Sequence, residues 1–455
     1  LSALILTLTL AFASVPLAQP VSADDSNVVT IIHTNDMHGR LNESVAGVTR
    51  LARLKSYVTN NSVDLILDAG DAIQGMPISN INKGLKMLEA MADIGYDAMT
   101  IGNHEFDFGL DSLETLKDSN LVPMISNNVV KNGSLMFDRT RVLEVTKGAD
   151  SVHVGLVGTT TPETYTKTHP NNIAGVDFEA PMGAVLEDIE TLKTDNPDLA
   201  FIVVLAHLGS DAETPLEWRG DKLAERIAAE DVGIPVVVID GHSHTVEDAV
   251  YGENVVYVQT GQYLDRIGRV DVDLTDFSAT VTSLIAIGDV TLATDDETIL
   301  VAEEEAKTEF EDMGAEVIID NLPVHLSSDR DIVRRKEAPL GNLITDAMMD
   351  YGKTLDQQPH LAVINGGGIR ADLLEGEVTL GDIIAVLPFG NMYSSIEVTG
   401  AQILEMFEFS YDTNTETDSD GNVVLGQAGK FLHISGARVV YNALREPGDR
   451  IESIE

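Results

Sequence analysis

The sequence predicts an α/β protein of more than one domain. Short β-branched runs alternate with segments of helical spacing, the pattern of strand–helix units built around a sheet. Several of those runs end in His, Asp or Asn, where ligands collect in such sheets. The 455 residues are too many for one ordinary core, so two or three domains are expected.

In chain order, Leu1 to Ala18 is mostly apolar and uncharged, and Val21-Ser22-Ala23 is a small-residue cleavage pattern before Asp24-Asp25. Residues 1–23 read as a partial secretory signal peptide. Pro16 and Pro20 count against a membrane anchor. No other stretch reaches the about 18 apolar residues that span a bilayer. The mature chain is expected to be exported (periplasmic, cell-surface or extracellular), with no transmembrane segment.

Val28 to Ile32 is a strand by pattern and runs into Asp36-Met37-His38-Gly39-Arg40. Asp36 and His38, two apart, can reach one cation. Val48 to Thr59 has helical spacing. Leu65-Ile66-Leu67 then leads to Asp68-Ala69-Gly70-Asp71, whose glycine permits a sharp turn. Asp71 suits a bridging carboxylate, whereas Asp68 lies nearer the strand body and reads as structural. A helix over 82–94 precedes the strand Ala98-Met99-Thr100 and the loop Gly102-Asn103-His104-Glu105-Phe106-Asp107. Asn103 offers a metal a neutral oxygen. His104 can act as general acid or charge stabiliser, with Asp107 fixing its tautomer. Val152–Gly158, Phe201–Leu205 and Val236–Ile239 are further strands, the last two ending at His207 and at His242 and His244.

Each signal alone has a bland reading. Asp-x-His is common by chance, an Asn-His pair often caps a turn, and a strand-end His is often a satisfied core residue. Together, Asp36, His38, Asp71, Asn103, His207, His242 and His244 are enough donors for two cations sharing one carboxylate. Two-metal sites of that kind activate water and clamp an in-line phosphoryl displacement. There are no cysteines, so any metal must use Asp, Glu, His and amide oxygen, and the expected cofactors are two divalent ions from Mg, Mn, Fe, Co or Zn. His153 reads as a core or edge residue. His169, His325, His360, His433 and Trp218 read as structural or surface groups.

The net charge of −45, from 74 acidic and 29 basic residues, argues against a nucleic-acid polymer surface and against an anionic membrane surface. It fits a protein built for high salt as well as generic surface acidity. From about Ala293 to Ile319 the chain is acidic with helical spacing, a linker helix. Arg334-Arg335-Lys336 is a basic island. The strand Leu361–Ile364 enters Asn365-Gly366-Gly367-Gly368-Ile369-Arg370, where Arg370 offers a planar fork for phosphate or carboxylate. Phe389, between Pro388 and Gly390, is a plausible base-stacking platform. Residues 412–429 read as a polar loop.

In this order the motifs resemble the calcineurin-like metallophosphoesterases. Thr34-Asn35-Asp36-Met37-His38-Gly39, Gly102-Asn103-His104-Glu105-Phe106-Asp107-Phe108-Gly109 and Gly241-His242-Ser243-His244-Thr245 are similar to the secreted 5′-nucleotidase family, which includes UDP-sugar hydrolases. The resemblance implies a metallophosphoesterase sandwich over 28–288, a linker helix over 293–319 and a second α/β substrate domain over 322–455, incomplete at its C-terminus. It implies one metal held by Asp36, His38, Asp71 and His244, and another by Asp71, Asn103, His207 and His242. It makes His104 and Asp107 the catalytic pair and Arg334, Asn365, Arg370 and Phe389 the substrate contacts. Several members carry Gln or Asn where His244 stands, and a third imidazole would bind a softer cation more firmly.

The expected activity is release of phosphate from nucleoside 5′-phosphates by attack of metal-bound hydroxide. The alternatives are a 2′,3′-cyclic-nucleotide phosphodiesterase/3′-nucleotidase, a UDP-sugar hydrolase and, from a different class, an inactive metal-dependent surface binding protein. The partner is a nucleotide or nucleotide sugar.

Overall fold

The structure is a computed structural model. It describes residues 27–455 apart from 43, 46–47, 148–149, 213, 276–277, 290–294, 356–357, 390, 392 and 418–420. The signal-peptide reading of 1–23 lies outside the described residues.

The principal elements begin β1 (Val28–Thr34), α1 (Arg50–Asn60), β2 (Leu65–Asp68), α2 (Leu85–Ile94), β3 (Ala98–Thr100), α3 (Leu110–Ser119) and β4 (Met124–Ile125). A second series follows: β5 (Thr140–Lys147), β6 (Asp150–Thr160), α4 (Pro181–Asp195), β7 (Leu199–His207), α5 (Gly220–Glu230), β8 (Val236–Ile239), β9 (Val246–Tyr251) and β10 (Val255–Thr260). Strands β11 (Arg266–Asp273) and β12 (Ser278–Ala286) then return to the first series.

The order β12-β11-β1-β2-β3-β4 makes one six-stranded sheet, and β9-β10-β8-β7-β6-β5 makes the other. β1 to β4 pair in parallel, as do β6, β7, β8 and β10. Each parallel set therefore delivers its C-terminal ends to one edge, where the sequence concentrates His and Asp.

Strand alternation explains the layering. Val29, Ile31, Leu65 and Leu67 meet Val203, Leu205, Val237 and Ile239 in a core between the sheets. The intervening Ile32 and Ile66 face outward under Leu51, Met87 and Met91 of α1 and α2. On the far side Ile202, Val204, Val236 and Val238 pack with Val185, Ile189 and Leu223 of α4 and α5. The result is a four-layer helix–sheet–sheet–helix sandwich. Burial on both faces is why these strands read as continuous apolar runs rather than alternating ones.

Beyond β12, α6 (Glu297–Gly314) starts at Asp296, whose side chain accepts the N–H groups of Thr298 and Ile299. Its Ile299 and Ala306 enter the same core as Leu51 and Leu88, so the helix is packed on the sandwich along its length. The next strand, β13 (Val317–Leu322), begins inside the span read as helical. There follow α7 (Pro339–Thr354), β14 (Ala362–Asn365), β15 (Gly376–Thr379) and α8 (Leu380–Val386). β13 pairs with β15, and its Val317-Ile318-Ile319 run is β-branched, as strands favour. α9 (Gly400–Tyr411), β16 (Thr415–Thr417), β17 (Val423–Leu425) and β18 (Leu432–Ser435) complete the principal elements. β16 and β17 form a hairpin in the stretch read as a plain loop. Two smaller cores serve this region, one around Val333, Leu340 and Val378 and one around Phe407, Tyr411 and Phe431.

One contact inside the first sheet is tight enough to test. His33 of β1 is fully buried, neither ring nitrogen has a hydrogen-bond partner, and burial lowers its pKa to about 3. It lies against Gly268 of β11, where a Cβ would sit 1.9 Å from His33 Nε2. Gly268→Ala should therefore cost about 1–3 kcal/mol of stability, as overpacking does, and adding His33→Ala should restore part of it. Denaturant melts of the two variants measure this; an unchanged midpoint for Gly268→Ala contradicts the packing described.

Candidate active site

The strand ends bring the predicted donors together. Three overlapping groups have their donor atoms within 4.8 Å of one another: Asp36, His38 and His244; His38, Asp71 and His104; and Asp71, His207 and His242. Asp71, in the loop after β2, belongs to the second and third groups, and His38 links the first to the second. Asn103 is buried beside them, next to His104, whose backbone N–H donates to Asp71 Oδ1 at 2.8 Å.

Presenting these side chains requires sharp backbone turns. Asp36, His38, Asp71, His242 and His244 all have positive φ, at 50, 50, 56, 74 and 56°. Such conformations cost about 1–3 kcal/mol each outside glycine. Neighbouring loops hold them. Asp36 N–H donates to Gly70 O at 2.9 Å, His38 N–H to Asp71 O at 2.9 Å, and Gly39 N–H to Ala72 O at 2.8 Å.

Two buried carboxylates extend the clamp. Glu105 accepts the N–H groups of Asp71 at 2.9 Å, Ala72 at 2.9 Å and Gly102 at 2.7 Å, tying the β2 and β3 loops together. Asp240 accepts Leu208 N–H and Gly241 N–H, each at 2.8 Å, and Tyr257 Oη–H at 2.9 Å, tying the β7 and β8 loops together. Burial pushes Asp240 up to about 6. Gly102 is required by crowding, because a Cβ there would lie 2.2 Å from Asp71 Oδ1.

The donor set fits divalent cations. His207 Nδ1–H donates to Ala69 O at 2.7 Å, which leaves Nε2 facing the cluster, 3.0 Å from Asp71 Oδ2. Asn103 Oδ1 is buried with no hydrogen-bond partner. Left bare, such a group costs about 1–3 kcal/mol. His38 Nδ1 is 3.1 Å from Gln74 O, and its Nε2 is 2.9 Å from His244 Nε2. Both rings approach Asp36 Oδ1, at 3.8 and 3.3 Å. Imidazole nitrogens converging on a carboxylate suit Zn, Mn, Fe or Co, and the carboxylate and amide oxygens also suit Mg.

His104 stands beside this set with different partners. Its Nδ1–H donates to Asp107 Oδ2 at 2.6 Å, while Nε2 is 4.0 Å from Asp71 Oδ2. Asp107 is fixed in turn by Thr168 Oγ1 at 2.5 Å on its other oxygen and by Asn172 Nδ2 at 2.8 Å on its backbone carbonyl. Burial opposes charge on the His104 ring, but Asp71 and Asp107 together outweigh it and raise the pKa to about 9 among the protein groups alone.

A cleft of about 950 Å³ opens over the cluster. His38, His104 and His244 line one side, and Arg370 and Phe389 reach it from the C-terminal region. The Arg370 guanidinium lies 5.6 Å from the centre of the Phe389 ring. Arg334 and Asn365 do not line this cleft. Asn365 Nδ2 donates to Gly429 O at 3.0 Å, and Arg334 follows a short helical turn, its pKa lowered by burial and then by the Arg330 and Arg370 charges. Sequence reasoning passed over Arg40, Lys167 and Tyr263, which also line the cleft, and gave no role to Glu105, Asp240 or Glu163. Glu105 and Asp240 were in view inside the motifs; nothing in the sequence marked Glu163.

The chain is similar to known proteins along most of its length. Residues 29–246 match the calcineurin-like phosphoesterase family, and residues 318–455 match the 5′-nucleotidase C-terminal domain. A 5′-nucleotidase of Vibrio parahaemolyticus is 30% identical over 454 residues, covering 89% of this chain and 78% of that protein. The chain belongs to the 5′-nucleotidase family. Within it, a 5′-nucleotidase precursor from Thermus thermophilus has a crystal structure with a TM-score of 0.58 and 27% identity, covering 94% of this chain and 85% of that one. A trifunctional nucleotide phosphoesterase of Bacillus subtilis is 28% identical, covering 94% of this chain and 30% of its own length.

Asp71 belongs to two of the donor groups and His244 to only one. Asp71→Asn should therefore lower the content of both cations, whereas His244→Ala should weaken mainly one. Elemental analysis of the purified variants checks this; Asp71→Asn retaining two tightly held ions per chain contradicts it.

Proposed function

We propose that this phosphoric monoester hydrolase of the 5′-nucleotidase family is exported and releases phosphate from nucleoside 5′-phosphates at a two-cation site. Asp36, His38, Asp71 and His244 would hold one cation, and Asp71, Asn103, His207 and His242 the other. The observation that carries the reading is Asp71 shared between the His38–His104 and His207–His242 donor groups, with His104 at a cleft that Arg40, Lys167 and Arg370 also line. Two divalent cations held there would supply Lewis acidity and an activated water at neutral pH.

The chain's own groups do the rest. Arg370 offers a charged fork to phosphate or ribose, and Phe389 offers a flat face to the base. His104 carries a proton at Nε2, aimed at the space beside Asp71, and stabilises charge that develops on the phosphate or leaving oxygen. Asp107 keeps that ring charged and correctly turned through Nδ1. Residues 28–288 would carry the chemistry and 322–455 the nucleoside grip, through Arg370 and Phe389. Export is supported by the apolar start of the chain, and no helix among the described residues is long and apolar enough to cross a membrane.

A second reading, as a 2′,3′-cyclic-nucleotide phosphodiesterase/3′-nucleotidase or UDP-sugar hydrolase, is kept because the Bacillus relative is named as trifunctional. Phosphate release from 5′-AMP, 3′-AMP, 2′,3′-cyclic AMP and UDP-glucose separates these, and 5′-AMP should lead. His104→Ala should keep both cations yet lower turnover of 5′-AMP by roughly 10²–10⁴, the usual worth of one such group. Unchanged turnover would remove His104 from the chemistry, and no turnover by the wild type with Mn or Zn would favour an inactive binding protein.

A further inference from the structure

Three of the donor histidines have their outward nitrogens tied down, and one is tied differently. His38 and His207 are held through Nδ1 by backbone carbonyls, Gln74 O at 3.1 Å and Ala69 O at 2.7 Å. His242 is held through Nε2, which lies 3.0 Å from the Oε2 carboxylate oxygen of Glu163. Glu163 follows the end of β6 and belongs to none of the donor groups. Its Oε2 also accepts Thr214 Oγ1–H at 2.8 Å, from the loop after β7. Its backbone is fixed as well: its N–H donates to Thr161 Oγ1 at 3.2 Å, and its carbonyl accepts Thr166 N–H at 2.8 Å. The carboxylate and the His242 side chain are both mostly buried, at 17% and 7% exposure, so water competes weakly for the bond.

We infer that Glu163 is a positioning residue for His242. Its carboxylate accepts the Nε2–H, which fixes the tautomer and leaves the Nδ1 lone pair for the cation shared with Asp71 and His207. A carboxylate behind a ligating imidazole orients the ring and raises its basicity more than a neutral carbonyl does. Glu163 therefore strengthens the cation site of Asp71, Asn103, His207 and His242, and leaves that of Asp36, His38 and His244 largely alone. The inference rests on the two-cation reading above.

The test is a competition titration of Mn²⁺ or Zn²⁺ into the metal-stripped full chain against a chelator of known affinity. Wild type, Glu163→Gln and Thr214→Val are compared, with melting curves of the stripped proteins alongside. Glu163→Gln should weaken one of two ions by about 10–100-fold, the usual effect of removing such a partner. The other ion should change by less than about threefold, and the melting curve should stay put. Thr214→Val should shift the same ion in the same direction by less, and it carries the test if Glu163→Gln melts early. Two wild-type affinities in both variants overturn the inference alone. Equal weakening of both ions also overturns it, because Glu163 would then be a general structural support. A wild-type chain that takes up fewer than two ions overturns the two-cation reading, and this inference with it.

Discussion

Buried carboxylates that accept backbone N–H groups from neighbouring loops are what the cleft depends on. Glu105 joins the loops after β2 and β3, and Asp240 joins those after β7 and β8. Those bonds hold the positive-φ turn at Asp71 and the one beginning at His242 against relaxation toward ordinary backbone. Four parallel strands per sheet supply the loops at the right spacing, and the carboxylates fix their conformation. The sandwich core keeps those carboxylates dry, so each bond is strong and each loss is costly.

Charge is organised on two scales. The chain carries −45 overall, yet among the described residues Asp107 is the one acidic residue lining the cleft, against Arg40, Lys167 and Arg370. Remote acids are screened over about 8–10 Å at ordinary salt. The local cationic lining, with any divalent ions held at the cluster, therefore governs what approaches. An anionic substrate with one flat hydrophobic end matches that lining better than a polymer or a membrane does.

Much of this was legible in the sequence because buried parallel strands write themselves as unbroken apolar runs. Val28–Ile32, Phe201–Leu205 and Val236–Ile239 could be found that way, and the polar residues just past them stood out. The expected sandwich and the gathering of Asp36, His38, Asp71, His207, His242 and His244 at one edge follow from that signal. What was not legible involves partners far apart in the chain. Glu163 reaches His242 across 79 positions, and no local pattern encodes that. Val317–Leu322 opens on the β-branched run Val317-Ile318-Ile319, a strand signal that the helical reading of 293–319 overran, and it pairs with Gly376–Thr379. Arg334 and Asn365 were assigned to substrate from motif position, and their distance from the cleft wall depends on how the C-terminal region packs, which motif spacing cannot encode.

The central claim is that these loops present a preformed site for two cations on either side of Asp71. Anomalous diffraction from crystals of the full chain soaked in Mn²⁺ or Zn²⁺ tests it most directly. The account predicts two peaks, one contacting Asp36, His38, Asp71 and His244 and one contacting Asp71, Asn103, His207 and His242, with the loop backbone unmoved from the metal-free crystal. A single peak, or two peaks reached only after the Asp71 and His242 loops rearrange, would contradict it.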